Sequence, residues 1–275
     1  MASQLQRALE KEIDVLFVTN HNTLDGYRQI LDYQSHHQKY SAIKIYPAEE
    51  ITIDNGGHVL AYGISQTIKP GMSLEQTLDE IRRQNAVSCA AHPFAVTNGI
   101  RERAVQCDLI ESFNSNNVDR YSNIVASRFA REKQMPEIAG SDSHVLTTIG
   151  KCMNQIECEN NLDSVLAALR KGTHVASKDY ASRSEVFEHA HYIIKSSKEM
   201  LLDYTHEHHP GLYRTVRWAL NSYTSDPSNM LWRTLGNFTL YLTKRVSKKV
   251  NIRGHNPSVF DDRPWAQLIS MGILP

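Results

Sequence analysis

Side chains that bind metal ions recur at the ends of short apolar segments in this sequence. Four such segments, each closed or followed by histidine or a carboxylate, lie at 14–19, 42–49, 86–92 and 136–142. The polar residues at their ends are, in chain order, His21, Glu50, His92, Asp142 and His144. Imidazole and carboxylate together suit Zn²⁺, Mn²⁺ or Fe²⁺ better than Mg²⁺. No cysteine lies at these segment ends, so the pattern predicts a divalent-metal site without thiolate ligands.

Each of these residues also has an ordinary structural explanation. A histidine at the end of a strand is more often a surface group, and Asp142 could cap the turn that follows it. His92 precedes a proline, which ends a strand because it has no amide hydrogen to donate. The recurrence of the same chemistry nevertheless favours one site. Asp142 and His144 are two residues apart, so both project from one side of an extended segment, and His58 opens a further apolar segment.

The elements that must position these side chains alternate along the chain. Helical patterns are predicted at 2–12, 25–39, 73–85, 118–134 and 161–171. Apolar, strand-like runs lie between them at 14–19, 42–49, 58–64, 86–92, 108–114 and 136–142. This alternation predicts a mostly parallel sheet or barrel. In a parallel α/β barrel the carboxyl ends of the strands share one rim, so the polar groups at the segment ends are expected to converge there.

The sequence pattern changes at about residue 181. Three helical patterns follow, at 184–204, 210–223 and 228–250, and no strand-like run comes after them. We therefore predict a first domain at 1–180 and a helical C-terminal region at 181–275. The last part of that region, from residue 254, is predicted to be irregular.

The composition excludes few functions. Lys+Arg and Asp+Glu each number 30 in the 275 residues, so no net charge favours nucleic acid or a membrane surface. The four cysteines form no C-x-x-C pair. No apolar run reaches the ~18 residues of a membrane-spanning helix, and the N-terminal segment is charged rather than signal-like. We expect a soluble cytoplasmic protein with reduced thiols, and the sequence predicts no particular oligomeric state.

The segments that carry the candidate ligands also form an ordered set of motifs. They read FVTNHNTLDG, YPAEEIT, GHVLAYG, CAAHPF, DLIESFN and AGSDSHVLTTIG. In this order they resemble the polymerase-and-histidinol-phosphatase (PHP) family, and the resemblance covers about residues 1–180. It implies a distorted TIM-like (β/α)7 barrel with a metal cluster at its C-terminal rim, and an activity that cleaves phosphate esters.

The resemblance assigns roles by position. The metal ligands that it implies are His21, Glu50, His58, His92, Asp142 and His144, with Glu50 shared between ions. Glu111 and Asn114 match a family segment near the site but are not assigned as ligands. The implied cofactors are divalent metal ions (Zn, Mn or Fe), two or three in number.

Two departures from the family pattern modify these expectations. The family usually opens with a strand bearing D-x-H-x-H, whereas this sequence begins at the helix that follows that strand. The family also usually has Asp where this chain has Asn20. We therefore expect an α/β barrel whose first strand is missing, with a reduced ligand set and a C-terminal helical appendage.

The implied reaction is metal-dependent hydrolysis of a phosphate ester by metal-activated water. The substrate stays open among small phosphomonoesters, nucleotides and oligonucleotide ends, and the overall charge does not indicate nucleic acid. His144 or His92 is expected to protonate the leaving group. Arg101 or Arg103 is expected to neutralise charge on the phosphoryl oxygens.

Two other functions are compatible with the sequence. The first is a degenerate PHP domain that binds a ligand, a metal or a partner protein without turnover, and the missing ligand strand favours it. The second is a different metallohydrolase reaction, such as amide hydrolysis, on a similar barrel. Metal analysis combined with a phosphatase assay separates these alternatives.

Overall fold

The computed structural model describes residues 1–255 as a mixed α/β fold. Its strands are β1 Val15–His21, β2 Lys44–Thr52, β3 His58–Tyr62, β4 Val87–Ala90, β5 Leu109–Asn114, β6 Glu137–Gly140, β7 Cys152–Gln155 and β8 His174–Lys178. Its α-helices are α1 Ala2–Glu10, α2 Asp25–Ser35, α3 Leu74–Arg83, α4 Tyr121–Lys133, α5 Leu162–Leu169, α6 Arg183–Ser196, α7 Lys198–His208, α8 Tyr213–Ser225 and α9 Met230–Ser247. A π-helical turn, Lys248–Ile252, continues α9.

Strands β1 to β6 form one curled sheet in the order of the chain. β1 pairs with β2, β4 with β5 and β5 with β6 in parallel, whereas β3 runs antiparallel to both of its neighbours. The reversal places the start of β3 at the same edge as the ends of β2 and β4. This edge, which we call the rim, is therefore where His58 meets the polar groups that follow the other strands. The sheet has a TIM-like character, and the complete (β/α)7 arrangement stays a prediction.

Apolar side chains pack on both faces of this sheet. Helix α3 begins at a capping box formed by Ser73 and Gln76, and it buries Leu78 and Ile81 in a cluster that contains residues of β2, β3 and β4. Helix α5 buries Leu166 in a second cluster on the other face. Because both faces are covered by apolar packing, the polar residues of the predicted site lie at the rim.

One pair of strands was not predicted from the sequence. β7 and β8 pair antiparallel in a separate two-stranded sheet. Their residues are mostly exposed or half-buried, and neither segment contains an apolar run. The hydrophobic pattern that indicates a buried strand is therefore absent from both.

The region after residue 181 is helical as far as the structure describes it. The predicted helix at 184–204 is two helices, α6 and α7, which meet at Ser197. Serine favours helix ends because its hydroxyl competes for main-chain hydrogen bonds. The predicted irregular tail lies outside the described residues from position 256 on. Within residues 1–255 no helix has the length and apolarity needed to cross a membrane, and the division into two domains stays a prediction.

Asn251 joins the end of the helical region to the loop after β4. Its buried amide nitrogen donates to the main-chain oxygen of Phe94 at 3.1 Å, and its Oδ1 accepts from the Arg101 guanidinium at 3.4 Å. Alanine at position 251 would remove both contacts and the donor that the main-chain oxygen of Phe94 uses, at a cost of about 1–3 kcal/mol. We expect Asn251→Ala to lower the midpoint of chemical or thermal unfolding accordingly.

The control for this prediction is Asn221→Ala, which removes an exposed side chain on α8. That substitution should leave the unfolding midpoint unchanged. Equal midpoints for Asn251→Ala and the unsubstituted protein would show that the contact does not stabilise the fold.

Candidate metal site

The register of the first three strands brings three predicted ligands to the rim. His21 at the end of β1 pairs with Glu50 in β2. Thr52, two residues beyond Glu50, pairs with His58 at the start of β3. His92 follows β4, the next strand of the sheet. Parallel pairing of β1 with β2 and reversal of β3 therefore place these three side chains at one end of the sheet, where His92 joins them.

The turn after β1 keeps His21 in place. Asn22 has a positive φ of 56°, a conformation that asparagine tolerates better than most residues. Its Oδ1 accepts from the Thr52 amide at 2.9 Å, and its own amide donates to the Glu50 main-chain oxygen at 3.0 Å. The chain thus leaves the strand directly after His21 while remaining attached to β2.

Glu50 is at the centre of the predicted ligands. Its Oε1 lies 2.7 Å from His58 Nδ1 and 3.1 Å from His92 Nε2. Its Oε2 lies 3.6 Å from His21 Nε2. The nitrogens of His58 and His92 that face Glu50 are only 3.3 Å apart. Three imidazoles therefore surround one buried carboxylate.

The donor atoms of this centre fit a divalent cation. One ligand atom from each of His21, Glu50 and His58 lies within 4.8 Å of the other two. Bonds from Zn²⁺ to nitrogen or oxygen are about 2.0–2.2 Å long, so donors that share one ion stand about 3–4 Å apart. Nitrogen and carboxylate oxygen are the donors that Zn²⁺, Mn²⁺ and Fe²⁺ accept together.

Glu50 and His92 each stabilise the charged form of the other. Burial alone would raise the pKa of Glu50, but hydrogen bonds from His58 and His92 hold that pKa well below its usual range. Burial alone would lower the pKa of His92, but the hydrogen bond to Glu50 and the charge of Glu50 raise it to about 9. Without metal, the two residues thus form a buried carboxylate–imidazolium pair at neutral pH.

Glu111 in β5 supports His92 from below the rim. Its Oε2 accepts from the His92 amide at 2.6 Å and from Asn114 Nδ2 at 3.0 Å. Burial raises the pKa of Glu111 to about 7. A Cβ at Gly140 would lie 1.8 Å from Glu111 Oε1, so glycine at the end of β6 leaves room for this carboxyl group.

Asp142 and His144 form a second polar group on the rim. Asp142 Oδ2 accepts from the amide nitrogens of Asn114 and Asn116 at 3.3 and 3.4 Å. His144 Nδ1 lies 3.1 Å from the Asp142 main-chain oxygen and 3.3 Å from its Oδ1. The ring centroids of His144 and His21 are 6.1 Å apart, so the second group borders the first. The rim thus brings together the six residues predicted as ligands, whose roles in metal binding stay predictions.

One histidine at the rim was missed by the sequence analysis. His189 of α6 stacks on His144 with ring centroids 4.0 Å apart and an angle of 22° between the planes. Its Nδ1 lies 3.3 Å from Asn116 Nδ2. Burial, together with repulsion from His144, lowers the pKa of His189 to about 4. No strand-end pattern marks His189, because it lies inside a helix of the region predicted as an appendage.

The two arginines expected to bind phosphoryl oxygens have other partners. The Arg101 guanidinium lies 5.3 Å from the centre of the Phe94 ring and donates to Asn251. Arg103 pairs with Glu75 of α3 at 3.6 Å. These contacts join the loop after β4 to α3 and to the C-terminal helices. The catalytic roles of Arg101 and Arg103 stay predictions, to which the geometry adds no support.

A family model described as PHP-associated matches residues 120–174. An uncharacterized protein of Methanocaldococcus jannaschii, MJ1587, is 26% identical over 125 residues, which cover 44% of this chain and 70% of that protein.

Two solved structures are similar to this fold. PsfC from Pseudomonas syringae PB-5123 has a TM-score of 0.52 and 19% identity, and the match covers 70% of this chain and 87% of PsfC. Endonuclease Q, solved in complex with a 27-mer duplex substrate that has an abasic lesion at the active site, has a TM-score of 0.46 and 12% identity. That second match covers 64% of this chain and 53% of Endonuclease Q.

The sequence match covers one segment of the first predicted domain, and the similarity to PsfC shows a shared fold. The PHP-associated match at residues 120–174 supports a PHP-family domain in this chain. The motifs that suggested this family lie at the strand ends that the structure gathers into the rim.

Proposed function

We propose that this protein is a metal-dependent phosphoesterase, and that its substrate is a phosphate ester bound at the rim. The observation that carries the proposal is the convergence of three imidazoles on the buried carboxylate of Glu50. A site of this composition is suited to divalent cations, and the resemblance to the PHP family favours phosphate-ester chemistry over other hydrolytic reactions.

Glu50 is the carboxylate that we propose to be shared between ions. Glu50 has two oxygens that face different imidazoles, with His58 and His92 at Oε1 and His21 at Oε2. This geometry suits a carboxylate shared between two ions. Bound divalent ions would lower the pKa of water toward ~7 and balance charge on the phosphoryl oxygens.

Asp142 and His144 border the part of the rim that is open to solvent. Their side chains are 19% and 23% exposed, whereas that of His92 is 7% exposed. A proton donor to the leaving group must reach the substrate. Of the two histidines expected to act as general acid, we therefore assign this role to His144, and we assign ion binding to His92.

The experiment is a phosphatase assay of the purified protein with Mn²⁺ or Zn²⁺, combined with measurement of the bound metal. We expect turnover of a phosphomonoester that depends on the metal, and at least about a 100-fold loss in Asp142→Asn. Asparagine suits position 142 because the φ of Asp142 is 46°, a conformation that alanine adopts with strain.

The matched control is Asp79→Asn, which removes an exposed carboxylate that pairs with Arg82 on α3. Its turnover should equal that of the unsubstituted protein. Metal-loaded protein that hydrolyses no phosphate ester would contradict the proposal and favour a binding module. Full activity in Asp142→Asn would contradict the assigned site.

A further inference from the structure

Helix α6 is fixed to the rim at its first turn. Its N-terminus is a capping box of Ser182 and Glu185, and Glu185 also pairs with Lys151 at 3.1 Å. The Ala181 amide donates to the main-chain oxygen of Ser115, next to Asn116. Residues four apart share one face of a helix, so His189 lies on the same face as Glu185. This attachment explains how a residue of the C-terminal helices reaches the rim.

The orientation of the Asn116 amide determines which ring nitrogen of His189 carries the hydrogen. Asn116 Nδ2 lies 3.4 Å from Asp142 Oδ2 and 3.3 Å from His189 Nδ1. An ionised carboxylate only accepts hydrogen bonds, so the amide nitrogen rather than the amide oxygen must face Asp142. The same nitrogen then donates to His189 Nδ1. A neutral imidazole whose Nδ1 accepts carries its hydrogen on Nε2.

His144 has the opposite arrangement. Its Nδ1 faces two acceptors, the main-chain oxygen and the Oδ1 of Asp142, at 3.1 and 3.3 Å. Nδ1 of His144 therefore carries a hydrogen whether the ring is neutral or protonated, and its Nε2 is the nitrogen that can take up the proton a general acid donates. The two stacked rings thus have different roles: His144 Nε2 can carry the proton for the leaving group, and His189 presents an N–H donor.

We propose that His189 is a substrate-binding residue, whose Nε2–H donates to a non-bridging oxygen of the phosphoryl group held at the rim. This inference rests on the proposed function, because the phosphoryl group is the ligand that the site is proposed to take. It assigns a role in the site to the helical C-terminal region: α6 adds a hydrogen-bond donor to the rim. It also predicts that His189 is not a metal ligand, since its Nε2 carries a hydrogen.

The test compares His189→Ala and His189→Gln with His191→Ala as the matched control. His191 is on the same helix and packs against Tyr223, with ring centroids 5.7 Å apart. Glutamine supplies an N–H donor at about the reach of Nε2, so it should restore part of what alanine loses. Circular dichroism and thermal unfolding establish that each variant is folded, and the glutamine variant decides the result if the alanine variant is not.

The first measurement is binding of inorganic phosphate to the metal-loaded protein, by calorimetry, which needs no turnover. A hydrogen bond to a charged oxygen contributes roughly tenfold or more in affinity. We expect His189→Ala to bind phosphate about tenfold more weakly, His189→Gln to be intermediate and His191→Ala to be unchanged. The metal content should be the same in all three.

The second measurement is steady-state hydrolysis of a phosphomonoester. A higher KM in His189→Ala with the metal content preserved would support the proposal. Unchanged phosphate affinity in this variant, loss of bound metal from it, or no phosphate binding by the unsubstituted protein would each overturn it. Phosphate binding that depends on His189 in a protein without turnover would contradict the hydrolytic function alone, so the two failures are distinguishable.

Discussion

Glu50→Gln should lower the affinity for Zn²⁺ or Mn²⁺ by at least about 100-fold, because loss of even an outer partner of a metal ligand costs about 10–100-fold. Glutamine keeps the shape of the side chain but removes the negative charge on which His21, His58 and His92 converge. Hydrolysis of any phosphate ester should fall by the same factor or more. Calorimetry with the metal alone and the phosphatase assay measure the two effects separately.

The neighbouring residue provides a closely matched control. Glu49 is also buried in β2, but its Oε2 accepts from the Ile68 amide at 3.0 Å, away from the histidines of the rim. Successive residues of a strand project to opposite faces. Burial raises the pKa of Glu49, so a neutral glutamine is well tolerated there and still accepts a hydrogen bond. Glu49→Gln should therefore bind metal as the unsubstituted protein does.

The pair of variants separates a specific ligand from general loss of buried charge. Equal loss of metal binding in Glu49→Gln and Glu50→Gln would mean that both substitutions disturb β2. Metal binding that survives in Glu50→Gln would show that the ions are held elsewhere. Only a loss confined to position 50 supports the assigned centre.

The sequence predicted the strands of the rim because their signals are local. Apolar runs that end in polar residues indicated β1, β2, β4, β5 and β6, and the structure has a strand at each. The direction of β3 was not predicted, since an apolar run does not indicate whether its strand lies parallel or antiparallel to its neighbours. Its antiparallel pairing with β2 brings His58 to the rim. β7 and β8 were missed because half-exposed residues give no hydrophobic pattern.

The candidate site was predictable only where strand ends mark it. His21, Glu50 and His92 each follow or close an apolar run, and they meet at the rim. His189 reaches the rim from a helix far along the chain, through packing that no local pattern reveals. For Arg101, a charged residue after a strand suggested chemistry; its guanidinium contacts Asn251 in the structure, and its catalytic role stays a prediction.

The affinity of the site for metal should rise steeply with pH. His92 has a pKa raised to about 9 by Glu50, so it carries a proton at neutral pH in the metal-free protein. A metal binds the unprotonated nitrogen, and binding must release this proton. Below pH 9 the apparent affinity should therefore increase about tenfold for each pH unit. Burial lowers the pKa of His21, so between pH 7 and 8.5 His92 dominates the dependence.

The stability of the metal-free protein should change in the opposite direction. The folded pKa of His92, about 9, lies above the value of 6.5 for an ordinary histidine. Its contribution to the free energy of unfolding is therefore complete below about pH 6.5 and is lost as pH rises through about 9. Thermal unfolding of chelator-treated protein should show lower midpoints toward pH 9, whereas the stabilisation produced by added metal should grow over the same interval.

His92→Asn tests whether this one proton explains both slopes. Asparagine keeps a polar group at the strand end but does not titrate. The variant should therefore bind metal more weakly, because a ligand is lost, and its metal affinity should rise less steeply between pH 7 and 8.5. Calorimetry in two buffers of different ionisation enthalpy should detect release of about one proton for each metal bound by the unsubstituted protein. An affinity that is independent of pH, with no proton released, would mean that His92 is neutral before the metal arrives. The carboxylate–imidazolium pair at Glu50 would then not describe the metal-free site.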